Sequence, residues 1–243
     1  MTAREKPALE DLRIKLYADG ANLEAMRALA TRPYIRGFTT NPTLMHRAGV
    51  RDYREFARDV VAAIPDRPIS FEVFSDEFAE MEDQAHEIAT WGRCVYVKIP
   101  VTNTCGHPSF ELIHRLSRAG VRLNVTAVLT VAQVAETIAA LAGGAPSNIS
   151  MFAGRIADTG RDPVPMMVEA LEAMAAEPRA ELIWASPREL LNVFQADAIG
   201  CHIITVTADI LEKLEVVGKD LNEFSLDTVK MFRRDAVKAG LAL

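Results

Sequence analysis

The sequence has few cysteines, few histidines and no long apolar run, and each shortage excludes a class of protein. Its three cysteines, Cys94, Cys105 and Cys201, are odd in number and show no C-x-x-C spacing. This pattern predicts free thiols in a reducing cytoplasm rather than a disulfide framework. The five histidines show no H-E-x-x-H or similar ligand spacing, so we expect no metal site.

Membranes and nucleic acids are disfavoured as partners. No stretch approaches the roughly 18 to 20 consecutive apolar residues of a membrane-spanning helix, and the charged segment 1–13 does not fit a signal peptide. The formal net charge is −6 and no basic run is present, whereas phosphate contacts to nucleic acid need a basic surface. We therefore expect a cytoplasmic protein that binds neither nucleic acid nor membrane.

What the sequence does contain is an alternation of short β-rich runs with longer amphipathic runs, which is typical of β-α units around a parallel sheet. The eight strand candidates are 14–19, 36–41, 69–74, 95–100, 122–128, 148–154, 181–186 and 202–207. Eight units in 243 residues predict an α/β fold of the (β/α)8 TIM-barrel type, whose usual length is about 250 residues. A doubly wound open sheet is the alternative, and it is disfavoured because no G-x-G-x-x-G or Walker-type loop follows an early strand.

The chain shows no linker and no break in composition, so we expect a single TIM-barrel domain over residues 1–243. Within it, residues 1–12 form a short N-terminal extension. A last amphipathic run follows the eighth unit and predicts an additional C-terminal helix over about 222–243.

The strand candidate 95–100 carries a lysine in an otherwise apolar segment. Alternate residues of a strand point to opposite faces, so Val95, Val97 and Ile99 face the helices while Lys98 points into the lumen. The same alternation brings other polar side chains to the lumen, near the C-terminal ends of their strands: Asp19, Asn41, Glu72, Asn124, Thr126, Ser150 and Ser186. Active sites of TIM barrels lie at that end of the barrel, so this polar ring predicts one.

An amine in such a lumen has a chemistry of its own. Desolvation favours the neutral form of a lysine, which neighbouring acids partly oppose, and the neutral amine forms a Schiff base with a carbonyl substrate. The iminium is an electron sink that allows an adjacent C–C bond to break or form. Glu72 and Asp19 are candidates for the acid and base that this chemistry needs. The alternative is an internal ion pair of Lys98 with Glu72 or Asp19 that serves only the structure.

Seven segments of the chain carry a resemblance to a known family. They are YADGANLEAM (17–26), GFTTNPTL (37–44), ISFEV (69–73), VYVKIPVT (95–102), LNVTAV (123–128), ISMFAGRIAD (149–158) and WASPRE (184–189). In this order they resemble the transaldolase family, including its short branch with fructose-6-phosphate aldolases. The combination of TTNP, VKIPVT and FAGRI is specific, and the segments are spread over most of the chain.

The resemblance implies roles for four catalytic positions. Lys98 matches the Schiff-base lysine of the family. Asp19 matches the acid that moves protons during carbinolamine formation and C–C cleavage. Glu72 and Thr126 match the pair that holds a catalytic water.

Six further positions match the family's contacts to substrate: Asn41, Ser150, Phe152, Arg155, Ser186 and Arg188. Among them, Asn41 and Ser150 match residues that orient the dihydroxyacetone unit. Arg155 matches the main phosphate ligand, with Ser186 and Arg188 beside it. A guanidinium suits phosphate because it donates in a bidentate fork.

The reaction that the resemblance implies is a ping-pong transfer that needs no cofactor and no metal. A ketose phosphate such as fructose 6-phosphate or sedoheptulose 7-phosphate donates a dihydroxyacetone unit, and an aldose phosphate accepts it. The family also implies a homo-oligomer and a place in the pentose phosphate pathway.

Four positions bear on the choice between functions. Glu72 and Phe152 stand where fructose-6-phosphate aldolases tend to carry Gln and Tyr. A tyrosine hydroxyl could protonate the enamine and release free dihydroxyacetone, whereas phenylalanine cannot, which favours transfer over the aldolase alternative. Gly20 and Pro187 depart from the family and leave open a third hypothesis, a barrel that binds sugar phosphates without turnover. Proline fixes φ, so we expect Pro187 to change where Arg188 points.

Overall fold

A computed structural model of the chain describes residues 9–241, apart from the side chain of Glu10. These residues divide into two compact units, one over 13–211 and the other formed by 9–12 together with 212–241. The first unit contains the sheet and all candidate site residues. The N-terminal extension predicted over 1–12 lies outside the described residues as far as residue 8.

Eight parallel strands form a closed barrel in the first unit, in the order of the sequence. The strands are Lys15–Asp19 (β1), Ile35–Thr39 (β2), Ile69–Glu72 (β3), Val95–Pro100 (β4), Leu123–Val128 (β5), Ser147–Met151 (β6), Ala180–Trp184 (β7) and Ile203–Thr207 (β8). Strand β8 pairs with β1 in parallel, which closes the cylinder. The TIM-barrel prediction is therefore confirmed, and the open sheet is excluded.

Helices alternate with the strands along the chain and continue after the last strand. They are Leu23–Ala30 (α1), Pro42–Arg47 (α2), Tyr53–Ala63 (α3), Phe78–Ala89 (α4), Phe110–Arg118 (α5), Val131–Leu141 (α6), Ala153–Ala157 (α7), Pro163–Met174 (α8), Leu191–Ala198 (α9), Ala208–Glu212 (α10) and Leu221–Lys238 (α11). Among the helices described between residues 9 and 241, none is both long enough and apolar enough to cross a bilayer.

Several strands end earlier than the sequence pattern predicts. Strand β2 ends at Thr39, so Asn41 lies beyond it and is the N-cap of α2. Strand β7 ends at Trp184, so Ser186 lies in the following loop. In both cases the chain has already left the sheet on its way to the next helix. Side chains alternate between two faces only within a strand, so this alternation does not set the directions of Asn41 and Ser186. The assignment of these two residues to strands is thus corrected.

The two faces of each strand have the predicted chemistry. Phe71 of β3 is fully buried and packs edge-on against the rings of Tyr53 and Trp91, outside the barrel. The next residue along β3 is Glu72, whose side chain therefore points the other way, into the lumen. Beneath the site the lumen is filled by an apolar cluster: Tyr17, Ile183, Ala185 and Ile203, with Phe152 packed against it.

The second unit contains a 3-10 helix over Leu9–Asp11, another over Lys213–Val216, and the helix α11. Asp220 caps α11 by accepting hydrogen bonds from the backbone N–H groups of Asn222 and Glu223. No residue of α11 is buried in the described part of the chain. The predicted C-terminal helix is therefore present, and it begins at Leu221.

Candidate active site

A cavity of about 550 Å3 opens at the C-terminal ends of the strands. All ten residues singled out from the sequence line it: Asp19, Asn41, Glu72, Lys98, Thr126, Ser150, Phe152, Arg155, Ser186 and Arg188. Asn124 is fully buried and does not line the cavity, so it belongs to the layer beneath. The barrel thus brings together residues that are up to 169 positions apart, from Asp19 to Arg188.

Lys98 lines this cavity and is 6% exposed. Its Nζ is 3.1 Å from Oε2 of Glu72 and donates a hydrogen bond of 2.9 Å to the backbone carbonyl of Thr40. Glu72 and Lys98 are directly opposed in the pairing of β3 with β4, which is why their side chains meet. The structure thus contains the Lys98–Glu72 ion pair considered from the sequence, and this pair lies in the wall of the cavity.

Asp19 is the last residue of β1 and is held by its neighbours on β2 and α2. Its Oδ1 accepts a hydrogen bond of 2.7 Å from the hydroxyl of Thr39, and its Oδ2 accepts one of 3.4 Å from Nδ2 of Asn41. Burial raises the pKa of the Asp19 carboxyl above its usual range, and the charge of Lys98 only partly opposes this. A carboxyl with a raised pKa can hold and release a proton closer to neutrality.

Asn41 has a second task, since its Oδ1 accepts the backbone N–H of Leu44 and so caps α2. One side chain therefore fixes both the start of a helix and the orientation of Asp19. This arrangement explains why the TTNP segment contains an asparagine followed at once by a proline, because asparagine is favoured at the N-cap and proline at the first position of a helix.

A chain of three hydrogen-bonding side chains runs from the cavity wall into the layer beneath it, from Ser150 on β6 through Asn124 on β5 to Ser70 on β3. Ser150 donates a hydrogen bond of 2.7 Å to Oδ1 of Asn124, and Nδ2 of Asn124 donates one of 3.0 Å to Oγ of Ser70. Thr126 is buried, and its hydroxyl has no hydrogen-bond partner among residues 9–241. Because Thr126 lines the cavity, its hydroxyl is available to a water or to a substrate oxygen.

Two residues in the cavity wall have an unusual backbone. Ala127 has φ of 61° and lies where the pairing of β5 with β6 shifts register, and Ser186 has φ of 59°. Residues other than glycine held in this region cost about 1–3 kcal/mol each and cluster at functional sites. Gly154 explains how Ser186 is held, since a Cβ built on Gly154 would lie 1.6 Å from the Ser186 carbonyl oxygen.

Three arginines line the mouth of the cavity, and they differ in their partners. Arg188 is engaged, because it binds both carboxylate oxygens of Asp158 and donates to the carbonyl and hydroxyl of Ser186. The guanidinium of Arg155 lies over the ring of Phe152, 5.1 Å from its centroid. Of the three, only Arg188 forms an ion pair with a carboxylate among residues 9–241, although the charge of Arg155 also helps to lower the pKa of Asp158. Within the described part of the chain, Arg155 and Arg47 are therefore the cavity arginines whose guanidinium groups are not held in an ion pair and can bind an anion.

The sequence reasoning did not find Arg47, Thr39, Thr205 or Asp158. Arg47 lies four residues after Thr43 and three after Leu44 on α2, which makes it their neighbour on the helix surface, and all three line the cavity. Thr39 bonds both Asp19 and Thr205, the latter at 2.5 Å. The pairing of Arg188 with Asp158 had no signal in the sequence, because it depends on two loops thirty positions apart.

Comparison with known proteins identifies relatives across the whole barrel. The family model described as Transaldolase/Fructose-6-phosphate aldolase matches residues 16–243. A protein of Dehalococcoides mccartyi named probable transaldolase is 34% identical over 83% of this chain and 90% of the relative. Proteins of the same name from Pelotomaculum thermopropionicum and Thermoanaerobacter sp. are 34% and 31% identical, over 91% and 95% of this chain and 97% and 100% of the relatives.

Solved structures with a similar backbone agree on the fold alone. The truncated 3-deoxy-D-arabino-heptulosonate 7-phosphate synthase of Thermotoga maritima has a TM-score of 0.53 at 12% identity, over 97% of this chain and 93% of that one. A protein from Burkholderia cenocepacia J2315 has a TM-score of 0.58 at 18% identity, over 92% and 84% of the two chains. Such likeness supports the barrel and carries no information about substrates.

Proposed function

Because the chain belongs to the transaldolase/fructose-6-phosphate aldolase family, we propose that it is a class I transaldolase. It transfers a dihydroxyacetone unit from a ketose phosphate, such as fructose 6-phosphate or sedoheptulose 7-phosphate, to an aldose phosphate. The observation that carries this proposal is the buried amine of Lys98, 3.1 Å from the Glu72 carboxylate in a cavity shared with Asp19. The same enzyme name is carried by relatives at 31% to 34% identity.

The proposed reaction begins with proton transfer from the Lys98 ammonium to Glu72. The neutral amine then adds to the carbonyl carbon of the ketose phosphate, and loss of water from the carbinolamine gives an iminium. Asp19 removes the proton from the hydroxyl on the carbon beyond the bond to be broken, and the electron pair of that bond moves into the iminium. The aldose phosphate leaves, and the three-carbon enamine remains on Lys98 until an acceptor reverses these steps.

Asp19 suits this role because its raised pKa lets it give the proton back in the reverse direction. Glu72 and Thr126 are proposed to hold the water that enters and leaves at the carbinolamine stage. Asn41 and Ser150 are proposed to orient the hydroxyls of the dihydroxyacetone unit, and both have polar groups on the cavity wall. The iminium supplies the electron sink, so the proposed reaction uses no cofactor and no metal.

Arg155 is the proposed phosphate ligand, with Arg47 as a second cation at the mouth of the cavity. The support is electrostatic, since both line the cavity and, unlike Arg188, neither is held in an ion pair among residues 9–241. Arg188 contributes less directly, because Asp158 already occupies its bidentate fork. In this proposal Arg188 fixes the Ser186 hydroxyl beside the phosphate.

Transfer is favoured over release of free dihydroxyacetone by Phe152. Its ring packs against the apolar cluster below the site and carries no hydroxyl that could protonate the enamine. The enamine therefore waits for the acceptor aldehyde. An aldolase would release glyceraldehyde 3-phosphate and dihydroxyacetone continuously from fructose 6-phosphate alone, whereas a transaldolase needs an aldose phosphate such as erythrose 4-phosphate for turnover.

Borohydride trapping tests the proposal directly. Reduction in the presence of fructose 6-phosphate should add one reduced three-carbon unit, and peptide mapping should locate it on Lys98. The Lys98→Met variant should show no adduct, and Lys15→Met is the matched control because Lys15 lies at the opposite end of a strand in an exposed ion pair with Glu181. Sugar-phosphate binding without any adduct would instead favour the barrel without turnover.

We also propose a cytoplasmic homo-oligomer that acts in the pentose phosphate pathway. The resemblance to the family supports all three points, and the three unpaired cysteines fit a reducing compartment. Light scattering of the purified protein would measure the oligomeric state. A mass equal to one chain would reject the oligomer and leave the chemistry unaffected.

A further inference from the structure

The end of β3 has an unusual backbone arrangement next to the candidate site. Strand β2 pairs with β3 only at Phe38 and Thr39, opposite Ile69 and Ser70. Beyond that point Thr40 still donates to the carbonyl of Ser70, and the chain then turns away into α2. Because backbone groups alternate in direction along a strand, the N–H and C=O of Glu72 point toward the space that β2 has left.

The hydroxyl of Tyr53, the first residue of α3, fills that space. Its Oη accepts the N–H of Glu72 at 2.8 Å and donates to the carbonyl of Glu72 at 2.9 Å. A single phenol therefore satisfies both backbone groups that β2 no longer pairs. Buried backbone groups left without partners are costly, so the strand keeps its shape to its last residue through this one side chain.

Tyr53 is itself held firmly. Its ring packs against Phe71, Phe74 and Trp91, with ring centroids 6.1, 4.5 and 5.1 Å away. Asp52 caps α3 immediately before it by accepting the N–H of Glu55. Burial raises the pKa of the Tyr53 phenol above its usual range, so the hydroxyl keeps the proton that it donates to Glu72.

Packing alone does not fix Glu72 on this side. Glu72 lies between two cavities, because it lines both the candidate active site and a second cavity of about 300 Å3. The second cavity also has Tyr53, Phe74 and Trp91 in its wall. Without the hydroxyl, the end of β3 would have room to move toward that space.

We propose that Tyr53 is a positioning residue, whose hydroxyl fixes the backbone of Glu72 and thereby holds the Glu72 carboxylate against the Lys98 amine. The role of Glu72 in turnover rests on the proposed function, but the geometric link from Tyr53 to Lys98 does not. Tyr53 touches neither the cavity of the candidate site nor any reacting atom, so it acts only through Glu72.

The first test measures Lys98 itself and requires no sugar substrate. Cyanate carbamoylates lysine amines, and the Glu72 carboxylate covers the Lys98 Nζ at 3.1 Å. Tyr53→Phe should loosen this contact, leave the amine more accessible and speed Lys98 carbamoylation by at least about three-fold, measured by mass spectrometry of the Lys98 peptide. Tyr17→Phe, a buried phenol in the apolar cluster beneath the site, is the matched control and should leave that rate unchanged.

The second test separates positioning from a general loss of structure. Tyr53→Phe should lower kcat about 10- to 100-fold with little change in KM, since small misplacements of a catalytic group have effects of this size. In a Glu72→Gln background the same change should have less than a two-fold effect, because the group that Tyr53 positions is gone. Equal losses in both backgrounds would reduce Tyr53 to a structural role and overturn the proposal.

Two further outcomes are decisive. An unchanged rate of Lys98 carbamoylation in Tyr53→Phe would overturn the role of Tyr53, whether or not the protein has transaldolase activity. Absence of transaldolase activity in the parent protein would instead overturn the proposed function and leave the carbamoylation test valid. Should Tyr53→Phe not fold, Trp91→Leu keeps the phenol but removes a ring that packs against it at 5.1 Å, so the hydroxyl is held less firmly against Glu72. It should speed carbamoylation of Lys98 in the same direction, and an unchanged rate would count against the proposal.

Discussion

The hydroxyl of Thr39 donates a hydrogen bond of 2.7 Å to Oδ1 of Asp19, which joins the C-terminal ends of β1 and β2 beside Lys98. The bond stabilises the carboxylate, yet burial dominates and raises the pKa of Asp19. Asp19 is therefore kept in a position where its charged form is costly. Such a residue serves chemistry at the expense of stability.

The first prediction follows from that pKa. The folded protein keeps the Asp19 proton to a higher pH than the unfolded chain, so stability is lost as pH rises from the ordinary value of 3.8 through the raised folded value. Asp19→Asn removes this loss of stability, so its free energy of unfolding at pH 7 should be higher than that of the parent. The free energies of the two proteins should approach each other toward pH 4. The kcat of the variant should fall, because the proposed proton carrier is gone.

Urea denaturation at several pH values checks this expectation. The matched control is Asp76→Asn, since Asp76 is an exposed acid whose pKa is lowered by the hydroxyl and N–H of Thr104. That variant should lose stability at pH 7 rather than gain it. An Asp19→Asn protein less stable than the parent at pH 7 would contradict the argument.

The contact of Gly154 with Ser186 gives the second prediction. A methyl group at position 154 would overlap the Ser186 carbonyl oxygen, so Gly154→Ala must displace the loop that carries Ser186 and Arg188. We expect a loss of about 1–3 kcal/mol in the free energy of unfolding, as for other overpacked sites, and a higher KM for phosphorylated substrates. Gly20→Ala is the control, because a Cβ there has nothing within 4 Å and φ is not positive.

Chemical denaturation and steady-state kinetics measure both effects. Gly20→Ala should be neutral or slightly stabilising, since alanine has fewer unfolded conformations than glycine. Equal stability of the Gly154→Ala and Gly20→Ala proteins would show that the loop at Ser186 can move freely.

The third prediction ranks the three arginines. Arg155→Ala should raise KM for fructose 6-phosphate about 10- to 100-fold. This change corresponds to the loss of one hydrogen bond to a charged group, which contributes about 1.5–3 kcal/mol. Arg47→Ala should have a smaller effect in the same direction. Arg188→Ala should also change KM less than Arg155→Ala, because its guanidinium is already paired with Asp158.

The ranking is checked by kinetics with phosphorylated and unphosphorylated substrates. Trapping of unphosphorylated dihydroxyacetone on Lys98 should be nearly unaffected by Arg155→Ala, since that ligand has no phosphate. A larger rise in KM for Arg188→Ala than for Arg155→Ala would reverse the assignment of the phosphate ligand.

The fourth prediction concerns Phe152. Phe152→Tyr places a hydroxyl at the edge of the site, between the apolar cluster and Arg155. If that hydroxyl reaches the enamine, the variant should release free dihydroxyacetone from fructose 6-phosphate without an acceptor, while the parent requires one. Coupled detection of glyceraldehyde 3-phosphate measures the rate. Phe56→Tyr, in the helix layer outside the barrel, is the control and should not gain release.

Much of the site could be predicted from the sequence because strands impose a period of two. Lys98 follows Val97 and precedes Ile99, and this local order alone turns its amine into the lumen. Asn41 and Ser186 reached the cavity for a different reason, since both lie beyond their strands. Their position depends on a helix cap and on a left-handed residue, which strand periodicity does not describe.

The sequence by itself determined the eight-unit barrel, the direction of each strand face and the identity of the polar groups at one end, since these depend on neighbours only a few positions away. The tertiary structure alone decided which of those groups are already paired. Asp158 forms an ion pair with Arg188, and the hydroxyl of Tyr53 donates a hydrogen bond to the backbone carbonyl of Glu72. Gly154 leaves space for the carbonyl oxygen of Ser186, because it has no Cβ. Each of these contacts joins separate loops or elements, so its geometry exists only once the barrel has closed.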